Sequence, residues 1–348
     1  MNLLQSLLGI DLPIIQAPMA GVQGNMLAAA VSNAGGLGSL PCAMLSGEAL
    51  RKELIVLTAL TSRPFNVNFF CHRLPNENAA RESAWRQALA PYYRALDLDL
   101  DAVPAGPARM PFDHATAELL EAIRPAVVSF HFGLPAPDLL ARVRALGSKI
   151  ISSATTVEEA RWLEGQGVDA IVAQGLEAGG HRGHFLSEDL TVQMGTMALV
   201  RQIVSAVRTP VIAAGGIADS KGVAAAMALG AAGVQVGTAY LLCPEATTSP
   251  AHRAALKSDR APHTALTNLF SGRAARGIMN RLMKELGPLS ELPPEFPSAA
   301  AAVAPLRKQA ESAGMDDFSP LWAGQCASQC REIPAAQLTQ ELSSGLPN

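Results

Sequence analysis

Residues 210–238 read Pro210-Val-Ile-Ala-Ala-Gly-Gly-Ile-Ala-Asp219, Ser220-Lys-Gly-Val-Ala-Ala-Ala-Met-Ala-Leu-Gly230 and Ala231-Ala-Gly-Val-Gln-Val-Gly-Thr238. The first apolar run ends in a glycine pair, the pattern of a short strand buried on both faces. Asp219 is suited to cap the helical pattern that follows to Leu229. Gly233-Val-Gln-Val-Gly237 is a second buried run. Near-continuous apolar strands joined by helices require a parallel sheet covered on both sides.

Working outward, the same unit recurs. Pro13–Ala17, Gly36–Leu40, Phe65–Phe70, Ala126–His131, Lys149–Ser153 and Ala170–Gln174 add six strands, which makes eight. Helical patterns cover Asn25–Ala34, Gly47–Leu60 and Val157–Gly165. Eight such units closing on themselves predict a (β/α)8 TIM barrel. An open doubly wound sheet is the rival, weakened because the first strand turns through Ala17-Pro-Met-Ala-Gly21 rather than G-x-G-x-x-G. Ala224–Cys243 is apolar over about a membrane-spanning length. Gly230, Gly233, Gln235 and Gly237 interrupt it, so it reads as a helix followed by a buried strand.

Two segments exceed a minimal barrel. Residues 72–116 form a polar insertion after the third strand, helical around Asn78–Leu96. Residues 247–348 follow the eighth strand and carry Pro288, Pro293, Pro294 and Pro297. The expectation is a barrel over 1–246 that includes the insertion. Residues 247–348 then form a helical extension, a smaller lid or side domain that packs on the barrel and lines its substrate pocket.

The chain has 348 residues, 49% hydrophobic and 16% charged, with a net charge of −3. Such a composition builds a large core, and the absence of any basic run argues against nucleic acid as a partner. The N-terminus lacks a basic n-region and a signal cleavage site. An odd count of five scattered cysteines suits the reducing cytoplasm. Cys326-x3-Cys330 has no second pair, so no metal is expected.

In such barrels a cofactor phosphate sits between the loops after strands seven and eight. Here Gly215 and Gly216 expose backbone N–H groups at the start of a helix, and Gln235, Val236, Gly237 and Thr238 close the other side. Ala17-Pro18-Met19 ends strand one with a rigid turn and a polarizable side chain suited to a flat ring. Asn68 and Gln174 supply amides that match the edge of a flavin or its ribityl chain. After Gln174, the turn Gly179-Gly180 lets backbone approach a bound group, and His181 follows as a group able to move a proton. His131 and His72 compete for that role: His131 reads as a core or pocket histidine, His72 as pocket wall or loop, and His184 as surface or support.

Taken together, Pro13–Gly21, Asn66–His72, Ser129–Gly133, Gln174–Phe185, Ala213–Ile217, Gln235–Thr238 and Asp317–Gln325 resemble the class I nitronate monooxygenases, once called 2-nitropropane dioxygenases. The resemblance covers most of the chain. It implies a TIM barrel with non-covalent FMN that oxidises alkyl nitronates such as propionate 3-nitronate with O2. One electron passes to the flavin, giving its semiquinone, and a carbonyl product and nitrite result. By similarity Asn68, Gln174, Gly179, Gly216 and Gln235–Thr238 contact FMN, and His181 is the catalytic histidine, stabilising the anion or acting as base. The family also tends to carry tyrosines and a lysine in its C-terminal pocket segment. Here that segment has Phe296 and a run of alanines, with Arg307 and Lys308 the nearest cations.

Other functions stay in view. An NAD(P)H-using quinone or enoyl-thioester reductase would share the scaffold and FMN. A barrel with a catalytic cysteine fails, because no cysteine follows a strand-six glycine turn. A pure flavin or phosphate binder leaves His181 without a use. The expected partners are a small nitronate and O2, with no membrane, and the chain is either a monomer or a homodimer.

Overall fold

The computed structural model describes residues 3–45, 47–76, 78–103 and 109–347; residue 77 and residues 104–108 of the expected insertion lie outside the described residues. The strands in chain order are β1 (Ile14–Gln16), β2 (Gly38–Pro41), β3 (Phe65–Phe70), β4 (Val127–His131), β5 (Lys149–Ala154), β6 (Ala170–Gln174), β7 (Gly180–His181), β8 (Val211–Ala214), β9 (Gly233–Val236), β10 (Thr264–Thr267) and β11 (Ala275–Ile278). Eight pair in parallel in the order β1-β9-β8-β6-β5-β4-β3-β2. The ends of that row meet: Gln16 N–H donates to the Leu37 carbonyl and Leu37 N–H to the Ile14 carbonyl, each at 2.9 Å. The result is the TIM barrel that the sequence predicts.

The strands are mostly apolar because both faces are covered. Successive residues alternate between two hydrophobic layers, as the period of a strand demands. Ile15, Val127, Ile151, Val172 and Ile212 point into the barrel, where Leu4 and Leu8 of the first helix join them. Ile14, Val128, Ile150, Ile171 and Val234 point outward against Leu27, Leu54, Leu163, Leu199 and Val223 of the helical ring. Each such side chain contributes about 1.5–3 kcal/mol on burial. The apolar stretch 224–243 divides into helix Ser220–Ala228 and β9. Among the described residues no helix is long and apolar enough to cross a membrane.

The segments outside the repeat behave less simply than the sequence suggests. Helix Ala79–Ala95 of the insertion packs on helix Ala299–Ser312 of the extension through Trp85, Leu89, Val303 and Leu306. The Tyr93 hydroxyl donates to the Ala302 carbonyl at 2.6 Å. Insertion and extension therefore share one hydrophobic cluster. Besides its helices the extension carries two strands that the sequence did not signal: β10 and β11 form an antiparallel sheet with β7 from the barrel's own sixth loop, pairing Ala275 with His181. A two-residue strand carries no readable periodicity, so this sheet leaves no sequence signal. Helix Ala335–Ser343 returns to the barrel ring, where Leu338 and Leu342 join its core and the Tyr240 and Thr339 hydroxyls lie 2.8 Å apart.

Candidate active site

The C-terminal strand ends open on a cavity of about 1390 Å³ including its mouth. Ala17, Pro18, Met19, Asn68, His131, Gln174, Gly179, Gly180, His181, Gly215, Gly216, Gln235, Gly237 and Thr238 all line it. Val236 does not: strand alternation turns its side chain into the outer core. His72 and Phe296 stand behind the lining, with the Phe296 ring centroid 4.8 Å from His72 and 5.2 Å from His181. Both are buried, in an aromatic wall completed by Phe70 and Phe132.

His181 is fixed at both backbone and ring. Its carbonyl accepts from Gln174 Nε2 at 2.9 Å and His131 Nε2 at 3.2 Å. A carbonyl only accepts, so His131 carries its proton on Nε2 and takes one at Nδ1 from Ser153 Oγ, 2.6 Å away. His131 is thus a satisfied pocket histidine. Gln174 Oε1 also accepts from Gly183 N–H at 2.7 Å, so this amide is engaged in shaping the β6 loop. His181 Nε2 lies 2.8 Å from Ser271 Oγ, and Ser271 Oγ donates to the Arg273 carbonyl at 3.3 Å. The two contacts are met together when Nε2–H donates to the serine, which leaves the Nδ1 lone pair free.

Charge around the ring is one-sided. Burial first, then Arg109, His131, Arg273 and His72, hold His181 well below the usual histidine value. Burial likewise brings His131 down to about 3 and His72 to about 4. All three rings are neutral at pH 7. Folding stability therefore holds above pH ~6.5, where the unfolded histidines are also neutral, and declines as pH falls toward the folded values.

The glycine loops form the far end of the cavity. Among the described residues the N–H groups of Gly215, Gly216 and Gly237 find no protein acceptor. Gly215 has φ +115°, and its carbonyl accepts from Thr196 Oγ at 3.0 Å. Glu177 holds Thr196 in turn, accepting from its N–H at 2.8 Å and its hydroxyl at 2.7 Å. The extension clamps the loops from outside. Gly324 N–H donates to Thr238 Oγ at 2.9 Å, the Cys326 thiol to the Gly216 carbonyl at 3.2 Å, and the Cys330 thiol to the Thr238 carbonyl at 3.0 Å. Asn68 Nδ2 donates to Ser129 Oγ at 2.9 Å, which leaves Oδ1 as an acceptor at the wall.

Several site residues escaped the sequence reading: Ser271, Trp322, Glu177, Arg109, Arg273 and Arg182. Nothing local distinguishes them, since the role of each appears only once the loops are folded against one another. His184, read as surface or support, is buried with Nε2 3.0 Å from Glu188. Arg182 is fully buried and donates to the Gln174 and Gly175 carbonyls at 2.7 and 2.6 Å and to Gln193 Oε1 at 2.6 Å. Arg182→Met strands those acceptors and is expected to lower stability by about 3 kcal/mol or more. A urea midpoint equivalent to less than ~1 kcal/mol of loss would show that water replaces the guanidinium.

A closed barrel with a cavity at its strand C-termini, lined by a half-buried imidazole and by unpaired amides, defines a TIM-barrel enzyme. The nitronate monooxygenase family model matches residues 1–345. Nitronate monooxygenase of Pseudomonas aeruginosa PAO1 is 46% identical over 339 residues, 97% of this chain and 96% of that one. Its counterpart in Paraburkholderia phytofirmans is 44% identical over 98% of this chain and 93% of its own. Among solved structures, nitroalkane oxidase from Streptomyces ansochromogenes superposes with a TM-score of 0.89 at 38% identity, covering 99% and 97% of the two chains. FabK from Thermotoga maritima gives 0.74 at 27% identity over 99% and 96%. The chain belongs to the nitronate monooxygenase family and is an oxidoreductase.

Proposed function

We propose that this chain binds FMN and oxidises alkyl nitronates with O2 to a carbonyl product and nitrite, with His181 as the proton-handling residue. The observation that carries the reading is the pairing of a neutral, doubly anchored His181 with a glycine cradle in one cavity. The residues present fit FMN. The free N–H groups of Gly215, Gly216 and Gly237, beside the start of helix Ser220–Ala228, suit its phosphate. A Cβ on Gly180 would meet nothing within 4 Å and would occupy cavity space instead. Asn68 and Gln235 line the cavity and would offer amides to ring or ribityl polar atoms, and Met19 would offer a polarizable surface. Bound FMN supplies the electron acceptor and the reaction with O2.

The protein binds, orients and moves the proton. With Nδ1 unprotonated, His181 takes the α-proton of a neutral nitroalkane. A nitronate placed against the same nitrogen favours the protonated ring, which then donates a hydrogen bond to the anion. Ser271 keeps the ring turned toward the cavity in both cases.

Because His181 titrates well below 6.5 in the free protein, the base form persists through mildly acidic pH. The expected profile of kcat/KM for a neutral nitroalkane has no acid limb near 6.5, only one below it. A limb at 6.5 or above would contradict the neutral-histidine assignment.

The deciding measurement is an anaerobic spectral titration of the purified yellow protein. Bleaching by propionate 3-nitronate, followed by O2 consumption and nitrite release, is the expected outcome. Fast bleaching by NADH with no response to nitronate would replace this reading with an FMN-dependent NAD(P)H reductase. Failure to take up FMN would remove both.

A further inference from the structure

Among the described residues of the insertion, Arg109 is the one that reaches the cavity shared with His181. Its guanidinium lies 5.6 Å from the Phe296 ring centroid, and Phe296 in turn lies 5.2 Å from the His181 ring. The cation and the imidazole thus flank the same phenyl ring. Arg109 Nη1 is buried and makes no hydrogen bond. Among the described residues Arg109 has no carboxylate partner, and the charge acting on it most is the repulsive one of Arg307.

The other cations nearby are already matched. Arg273 pairs with Glu188 at 3.5 Å and donates to the His184 carbonyl, with its guanidinium over the Phe132 ring. Arg307 pairs with Glu311 at 2.8 Å. Arg109 is half-buried with Nη1 wholly out of solvent, and a partly desolvated cation without a counter-ion is costly unless a ligand supplies the charge. A guanidinium presents a fork of N–H donors that fits a carboxylate.

We infer that Arg109 is a specificity-determining residue that receives a carboxylate on the substrate, one remote from the reacting nitronate carbon at His181. Arg109 and His181 line one cavity, so the substrate's two negative groups sit at the two ends of a short aliphatic chain. The enzyme then prefers nitronates that carry a carboxylate over plain alkyl nitronates of equal length. This inference rests on the nitronate reading above.

The test compares wild type with Arg109→Gln and Arg109→Lys, using propionate 3-nitronate and propyl 1-nitronate as substrates. The ratio of their kcat/KM values is expected to fall about 10- to 100-fold in the glutamine variant, the size of a lost charge-assisted contact. The lysine variant, which keeps the charge but not the fork, should fall in between. A fall of less than tenfold in the glutamine variant overturns the assignment, whatever the absolute rates. Flavin absorbance equal to wild type certifies the fold of each variant.

Calorimetric titration with succinate separates the two ideas, because it needs no turnover. If wild type oxidises no nitronate, the functional reading fails and the calorimetry alone decides Arg109. Succinate binding at least tenfold weaker in Arg109→Gln than in wild type supports the anion receptor. Equal binding, or none to either protein, overturns it.

Discussion

His181→Asn retains FMN and loses at least ~10²-fold in turnover of a neutral nitroalkane, the usual size of a missing general base. Asparagine can keep a hydrogen bond to Ser271, whose Oγ lies 2.8 Å from the present ring nitrogen. It has no lone pair basic enough to take a proton. The cradle is built from the loops after β8 and β9 and does not include the His181 ring, so flavin retention is expected to match wild type. Stopped-flow reduction under anaerobic conditions, with the nitroalkane and its pre-ionised nitronate side by side, checks both points. A large loss with the nitroalkane and a small one with the nitronate assigns His181 to proton abstraction. Equal losses assign it to holding the anion. Wild-type rates with both substrates would remove it from the mechanism.

Gly215→Ala abolishes useful FMN affinity. The native φ of +115° is one that L side chains rarely adopt, and holding a residue there costs about 1–3 kcal/mol. A Cβ at this position would also stand 2.8 Å from Thr196 Oγ and 3.0 Å from the Ala178 amide nitrogen. Thr196 cannot retreat without breaking its bonds to Glu177. The loop must move, and the free N–H groups of Gly215 and Gly216 move with it. The expected result is a protein that purifies colourless and binds added FMN at least tens of times more weakly than wild type, with far-ultraviolet circular dichroism unchanged. A yellow variant with wild-type affinity would place the phosphate elsewhere.

Much of this site was legible because its parts are local. Ala213-Ala-Gly-Gly-Ile217 and Gln235-Val-Gly-Thr238 are turns whose function follows from their own backbone, and the topology of a barrel places such turns side by side. His181 was legible for the same reason, as it follows a glycine turn at a strand end. Arg109 was not, since a lone arginine in a polar insertion looks like a solvated charge until the fold shows what surrounds it. Ser271 lies 90 residues from His181, and no periodicity links them. The aromatic wall draws Phe70 from the end of β3, Phe132 from the loop after β4 and Phe296 from the C-terminal extension.

Hydrophobic periodicity is a property of neighbouring residues, so the chain alone determined its eight barrel strands, most of their helices and the two glycine turns. Burial on both faces leaves short, mostly apolar runs, and these recur eight times along the barrel. Tertiary structure alone decided that insertion and extension share a core, that β7 and β11 pair, and that the last helix returns to the barrel ring. It also made the pocket histidines neutral and left Arg109 without a carboxylate partner among the described residues. Those outcomes depend on desolvation and on charges brought close by folding, and such distances are not encoded in the spacing of residues along the chain.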